Sequence, residues 1–285
     1  MLRSALLECT LFIGRNPNSA GISRAKTLGV KTSDLGIEAI TKDPNCCELV
    51  FDATSAKDHL SHWPILEKLG KIIVDMTPSK IGKMIVPAVN LDEITMYKNV
   101  NLISCGGQVS IPLVHALAQI EKNIGYIEVV SSIASKSAGP ATRINIDEYV
   151  ENTEEGLRFF TGCKKVKAIL ILNPAQPCID MQTTVSAKVE NPNMEKIKMA
   201  VVDLEKKIRH YVPGYKIIVP PVYESNRLVV MVRVRGLGDY LPNYAGNLDI
   251  NNCAAVATAE EYAKNMLRNT HHREAHRSYA RNINH

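Results

Sequence analysis

The chain has 285 residues, 45% of them hydrophobic and 22% charged, and a net charge of +5 with both signs interspersed. That length allows two domains with sizeable cores, and the charge balance calls for no nucleic-acid partner. No apolar run approaches the ~20 residues that cross a bilayer, and the N-terminal segment lacks signal-peptide architecture, so the expectation is a cytoplasmic protein with no membrane contact.

In chain order, residues 7–14 read as a buried strand, and Arg15-Asn-Pro-Asn-Ser19 turns the chain towards a helix that contains residues 23–28. Strands follow at 47–51 and 71–75, ending in Asp52-Ala-Thr-Ser55 and Met76-Thr-Pro-Ser79. Strands that alternate with helical stretches and finish in small polar residues imply a doubly wound parallel sheet. Its ligands lie beyond the strands' carboxyl ends, where Thr54, Ser55, Thr77 and Pro78 fall. No Gly-x-Gly-x-x-Gly turn occurs near the N-terminus. Arg15 stands where such a unit usually presents an acid to the adenosine ribose, so it is read either as a 2′-phosphate or adenine contact or as a surface arginine.

The stretch Asn101-Leu-Ile-Ser-Cys-Gly-Gly-Gln-Val-Ser-Ile-Pro-Leu-Val-His115 reads as strand, tight turn and helix, with the helix over 111–120 and Pro112 in its first turn. Cys105 then sits at a strand end near a helix N-terminus, where exposed N–H groups and the macrodipole favour a thiolate. Gly106 and Gly107 let backbone amides approach a reacting carbonyl. Cys105 is therefore a candidate nucleophile, the other reading being a buried free cysteine.

A strand at 125–133 runs into a loop over 134–145 rich in small residues, hydroxyls and cations, suited to phosphate or ribose contacts or simply a surface loop. A helix at 147–160 opens acidic, and strands follow at 166–172 and 183–189. Met194, Ile197, Val201, Leu204, Ile208 and Tyr211 mark one face of an amphipathic helix. Strands at 216–223 and 227–235, joined by Glu-Ser-Asn, predict an antiparallel α+β region. An alanine-rich helix spans 253–267, with Asn247 before it as a cap or turn residue. From Arg268 onward four histidines and four arginines form a basic tail, expected to be mobile. Those histidines lack a regular ligand spacing. Cys46 and Cys47 are adjacent and none of the seven cysteines forms a C-x-x-C pair, so neither a metal site nor a disulfide framework is expected.

Several segments together resemble the acylating acetaldehyde dehydrogenases of aromatic meta-cleavage pathways. They are Phe-Asp-Ala-Thr-Ser (51–55), Asp-Met-Thr-Pro (75–78), Cys-Gly-Gly-Gln (105–108) and Ser-Lys-Ser-Ala-Gly-Pro-x-Thr-Arg-x-Asn-Ile-Asp (135–147), with Asn-Pro-Ala-x-Pro (173–177), Tyr-Val-Pro-Gly-Tyr (211–215) and Tyr-Ala-Gly-Asn-Leu-Asp-Ile (244–250). The resemblance implies oxidation of acetaldehyde with NAD⁺ and coenzyme A to acetyl-CoA and NADH, with Cys105 as nucleophile and acyl carrier. It implies NAD contacts at Ser137, Ala138, Gly139, Pro140, Ala141, Thr142, Arg143, Ile144, Asn145 and Asn247.

It further implies a Rossmann-like NAD domain from 1–104 with 247–267, lacking the family's first strand and glycine-rich loop, so that Met1 resembles an internal methionine. Residues 105–246 would be an α+β catalytic and dimerisation domain. The implied partner is 4-hydroxy-2-oxovalerate aldolase, in a heterotetramer built on a homodimer. Where the family carries a carboxylate after the Asn-Pro-Ala segment, this chain has Thr183, which cannot be a general base. Asp180 would point elsewhere on an extended strand. Base catalysis then falls to another group or to water. Two alternatives stand beside the enzyme: an impaired paralogue kept as an aldolase-binding scaffold, and a phosphorylating semialdehyde dehydrogenase.

Overall fold

The structure, a computed structural model, describes the backbone of residues 1–283 and the side chains of 1–139 and 142–268. The first part of the chain alternates strands with helices: β1 (Phe12–Ile13), α1 (Ala20–Thr27), β2 (Thr32–Ser33), α2 (Glu38–Lys42), β3 (Leu49–Asp52), α3 (Ala56–Lys68), β4 (Ile72–Asp75), β5 (Lys83–Met84), α4 (Pro87–Asn90) and β6 (Asn99–Asn101). Ser19 and Ser55 start α1 and α3 as N-caps, accepting from the amides of Ile22 and Asp58. Strands β3, β4, β6 and β5 lie in that order as a parallel sheet. Its register sets Asp52, Asp75 and Asn101 side by side at the carboxyl ends.

The buried strand expected over 7–14 is reduced to the two residues of β1, which pair with β2 in a separate parallel ribbon. Phe12 is 39% exposed there. Apolar composition alone does not make a strand when only one short edge is offered for pairing.

The second part comprises α5 (Cys105–Ile120), β7 (Ile124–Ala134), α6 (Pro140–Ile144), α7 (Ile146–Thr161), β8 (Val166–Asn173), β9 (Met181–Val189), α8 (Met194–Arg209), β10 (Tyr215–Glu224), β11 (Arg227–Val234) and α9 (Gly246–Ile283). Five strands form one sheet in the order β10-β11-β9-β7-β8, antiparallel except for the β7–β8 pair. The strands alternate as a one-sided sheet requires. Ile127, Val129, Val185 and Val230 are buried under α5, α7 and α8, while Ile169 and Ile171 of β8 remain exposed on the opposite parity.

Helix α9 returns to the first sheet. Its Ala254, Ala255 and Tyr262 share a core with Val74, Val100 and Leu102, and the Tyr262 hydroxyl donates to the Tyr97 carbonyl at 2.7 Å. Its start lies so close to β11 that a Cβ at Gly246 would stand 2.0 Å from the Val234 carbonyl oxygen, so no other residue fits without backbone movement. Of the basic tail expected from 268, the side chains from 269 and the last two residues lie outside the described residues.

Candidate active site

The turn from β6 into α5 is held under strain. Ile103 has φ +64, a left-handed conformation that a β-branched residue rarely adopts and that costs on the order of 1–3 kcal/mol. Two buried amides fix it: the Asn101 side-chain oxygen accepts from the Ile103 N–H, and Asn152 of α7 donates to the Ile103 carbonyl, both at 2.8 Å. Gly156, also on α7, lets that helix come in, since a Cβ there would meet Ile111 at 2.9 Å and Ile103 at 3.2 Å.

The strained turn delivers Ser104 as the N-cap of α5, its hydroxyl accepting from the Gly107 amide at 2.9 Å. Cys105 is consequently the first residue of the helix. The expected helix start near Ile111 is corrected here: Gly106 and Gly107 are helical, and Pro112 lies inside α5 rather than in its first turn. An N-cap serine outweighs the glycines' low helix propensity.

Cys105 is half-buried, and burial pushes its thiol up to about 11. Three donors oppose that rise: the Tyr149 hydroxyl and the amides of Gly106 and Cys105 itself. The Gly107 amide is already taken by Ser104, so the amides left for a reacting oxygen or sulfur are the first two of the helix. Burial and the neighbouring Cys105 push the Tyr149 phenol well above its ordinary range, so it remains a donor at neutral pH. A Cβ at Gly106 would lie 2.1 Å from the Tyr149 Oη, which makes glycine at 106 the condition for that hydroxyl to reach the sulfur.

The segment after β7 folds back on itself. Ser137 is buried and donates to the Ala134 carbonyl at 2.9 Å, and the Arg143 guanidinium donates to the carbonyls of Ala138 (3.0 Å) and Ser135 (2.9 Å). Gly139 faces open space, Thr142 is half-buried, Ile144 is 78% exposed, and Asn145 stands at the N-cap position of α7. The side chains of Pro140 and Ala141 lie outside the described residues. This segment reaches Cys105 through α7, whose Tyr149 touches the thiol. Asn247 is buried in the first turn of α9, which packs on α5, and its amide oxygen has no protein partner.

At the carboxyl ends of the parallel sheet, His59 of α3 is fully buried between two acids, with Nδ1 2.9 Å from Asp52 and Nε2 3.5 Å from Asp75. His62 adds a contact to Asp52 at 3.1 Å. Burial works to raise the Asp52 pKa, but hydrogen bonds from His59, His62 and Thr54 outweigh it and hold the carboxyl well below its usual range. Asp75 shifts upward, because its burial exceeds what His59, Ser79 and Thr77 return. Thr54, Ser55 and Thr77, expected to await a ligand, are engaged through the Thr54 hydroxyl and amide on Asp52, the Ser55 cap of α3, and the Thr77 amide on Asp75. Thr77 itself is buried. The Arg15 side chain is exposed and lies 3.6 Å from Asp58.

Tyr149, Ser131, Asn152 and the Asp52–His59–Asp75 cluster were not singled out from sequence. A signal existed: Tyr149, Asn152, Thr153 and Gly156 lie at helical spacing on the buried face of α7, where a plain core helix would be apolar.

Residues 105–242 match the sequence model described as prokaryotic acetaldehyde dehydrogenase, dimerisation. An acetaldehyde dehydrogenase of Pectobacterium atrosepticum is 54% identical over 261 residues, covering 91% of this chain and 88% of that one. Those of Spirochaeta aurantia and Geobacillus stearothermophilus are 55% and 46% identical over 92% and 93% of this chain, and 88% and 90% of theirs. Among solved structures, aspartate semialdehyde dehydrogenase II of Vibrio cholerae has the same fold, with a TM-score of 0.54 at 12% identity over 84% of this chain and 82% of its own. The enzyme of Candida albicans, solved with NADP, gives 0.51 at 14% identity over 77% and 78%. The fold is thus a Rossmann-like unit joined to an α+β unit, and at such identity to its relatives the chain belongs to the acetaldehyde dehydrogenase family of aldehyde oxidoreductases.

Proposed function

We propose that the chain oxidises acetaldehyde to acetyl-CoA with NAD⁺ and coenzyme A, using Cys105 as nucleophile. The observation that carries this is the placement of the Cys105 thiol as first residue of a helix, with two helix amides and a phenol directed at it. The relatives' names supply the aldehyde.

The Cys105 thiolate attacks the carbonyl carbon; an S–C bond forms, and the carbonyl electron pair moves to oxygen, where first-turn amides of α5 can hold it. A nicotinamide, when bound, would supply the hydride acceptor that this adduct needs to become a thioester. The thiolate of coenzyme A then attacks the thioester carbon, the bond to Cys105 breaks, and the Cys105 thiolate returns. A sulfur nucleophile suits the reaction because the acyl group leaves it for another sulfur at little cost in free energy.

The chain's residues fit a dinucleotide at two places. The orphaned amide oxygen of Asn247 can accept from a carboxamide N–H, and the open surface at Gly139 lets a ligand approach the 137–145 segment. Residues 137–145 and Asn247 would hold the cofactor, with 1–104 and 247–267 as its domain and 105–246 as the catalytic one. The half-apolar face of the five-stranded sheet, exposing Ile169 and Ile171, is the surface for a homodimer. By resemblance the assembly includes 4-hydroxy-2-oxovalerate aldolase. Seven free cysteines suit a reducing, cytoplasmic setting, and among the described residues no helix is long and apolar enough to cross a membrane.

The test is NAD⁺ reduction, followed by absorbance, with acetaldehyde and coenzyme A. Turnover that requires coenzyme A and vanishes in Cys105→Ala is expected. A folded parent protein with no turnover, or a fully active Cys105→Ala, contradicts the proposal.

A further inference from the structure

We infer that Tyr149, Ser131 and Thr183 form a buried line of hydroxyl donors ending on the Cys105 sulfur, and that this line, rather than a carboxylate base, stabilises the thiolate. The inference rests on Cys105 being the nucleophile. It goes further by assigning the group that makes the sulfur reactive in a chain whose residue 183 carries no acid.

The geometry comes from three elements. On the covered face of the five-stranded sheet, β7 presents Ile127, Val129, Ser131 and Ile133, and β9 presents Met181, Thr183, Val185 and Ala187. The two hydroxyls interrupt an otherwise apolar surface and are register partners across the β7–β9 pair. Both residues are fully buried, and their oxygens lie 2.9 Å apart. The next atom is the Tyr149 hydroxyl, which α7 inserts beside Gly106; a Cβ at 106 would be 2.1 Å from Tyr149 Oη and 3.3 Å from Ser131 Oγ. The phenol is hydrogen-bonded to Ser131 on one side and to Cys105 on the other. Burying three hydroxyls under a helical layer is unfavourable unless each is partnered, and here each partners the next.

The direction of donation follows from proton counts. Tyr149 keeps its proton at neutral pH and directs its O–H hydrogen bond at the sulfur. The phenol oxygen then accepts from Ser131, which leaves the Ser131 oxygen to accept from Thr183. Every O–H points towards Cys105, and hydrogen bonds in such a series polarise one another in a low-dielectric interior. The line gives up no proton; the thiol's own proton leaves to solvent. It acts twice in the proposed cycle, when the thiolate forms and when it departs from the thioester. Tyr149 touches the reacting sulfur, whereas Ser131 and Thr183 are positioning residues that act through it.

The experiment measures alkylation of Cys105 by iodoacetamide, followed on its own peptide by mass spectrometry, as a function of pH and without substrate or cofactor. It therefore reads the line even if the acetaldehyde reaction is wrong. Tyr149→Phe should move the alkylation midpoint to higher pH and slow the reaction at neutral pH by about tenfold, the effect of removing one hydrogen bond to a charged group. Thr183→Val should move it the same way by a smaller step, and Thr183→Ser should restore the parent profile. An unchanged profile in Thr183→Val and Tyr149→Phe proteins that melt like the parent overturns the inference. So does a uniform slowing without a shift of midpoint, which reports blocked access. Should Tyr149→Phe not fold, the Thr183 pair of variants decides by the same criteria.

Discussion

Gly106 shows how one residue's chemistry can be set by a neighbour far along the chain. From sequence it reads as a glycine that frees backbone amides; in the fold it leaves the space that the Tyr149 hydroxyl fills. Gly106→Ala is expected to lower stability by about 1–3 kcal/mol through overpacking, and to slow Cys105 alkylation as the phenol is displaced. A melting curve and the alkylation rate check the two effects. Cys105 could be singled out as a candidate because a thiol before two glycines and a helix pattern has a stated chemistry. Tyr149 was not, because an aromatic residue on a helix face reads as core until the facing element is known.

The Asp52–His62 pair gives a prediction in pH. Hydrogen bonding to Asp52 raises the His62 pKa, so its contribution is fully present below the ordinary histidine value of about 6.5 and fades as pH climbs through the raised folded value. Asp52 is held below its ordinary range, so its contribution is present above about pH 4 and is lost in acid. The parent's melting temperature should therefore fall, between mildly acidic and mildly alkaline pH, more steeply than that of His62→Gln. Parallel slopes would show that the pair contributes no such linkage.

Among the elements, the β6–α5 turn does the most for the site. Ile103 tolerates its left-handed backbone because Asn101 and Asn152 hold its amide and carbonyl from opposite sides. Asn152→Ala leaves a buried carbonyl unpartnered, and the expected cost is about 1–3 kcal/mol, read as a lower midpoint in denaturant. A loss much smaller than this would show the turn to be self-supporting. Sequence reasoning located the strand and helix on either side but placed the helix start near Ile111, guided by Pro112. Capping by Ser104 decides the boundary, and a cap is visible only once the Gly107 amide is seen to bond to it. The strand expected at 7–14 shows the opposite failure, since apolar composition names a strand without naming its partner.

For the molecule as a whole, the parallel and antiparallel regions were legible from periodicity, and the return of an alanine-rich helix followed from the resemblance. The strand order β10-β11-β9-β7-β8 was not, because pairing depends on contacts between distant segments. That order makes Ser131 and Thr183 neighbours on the face that meets the start of α5 and leaves Ile169 and Ile171 uncovered. If that apolar face joins two copies, Ile171→Glu should convert the dimer to monomer in sedimentation, whereas an unchanged mass would place the interface elsewhere.

The central claim is that Cys105 carries the acyl group, and mass spectrometry of the protein tests it most directly. Incubated with acetaldehyde and NAD⁺ without coenzyme A, the parent should gain one acetyl group on the peptide that contains Cys105. Coenzyme A added afterwards should remove it. An acetyl group on another residue, or turnover with no adduct at Cys105, would contradict the account.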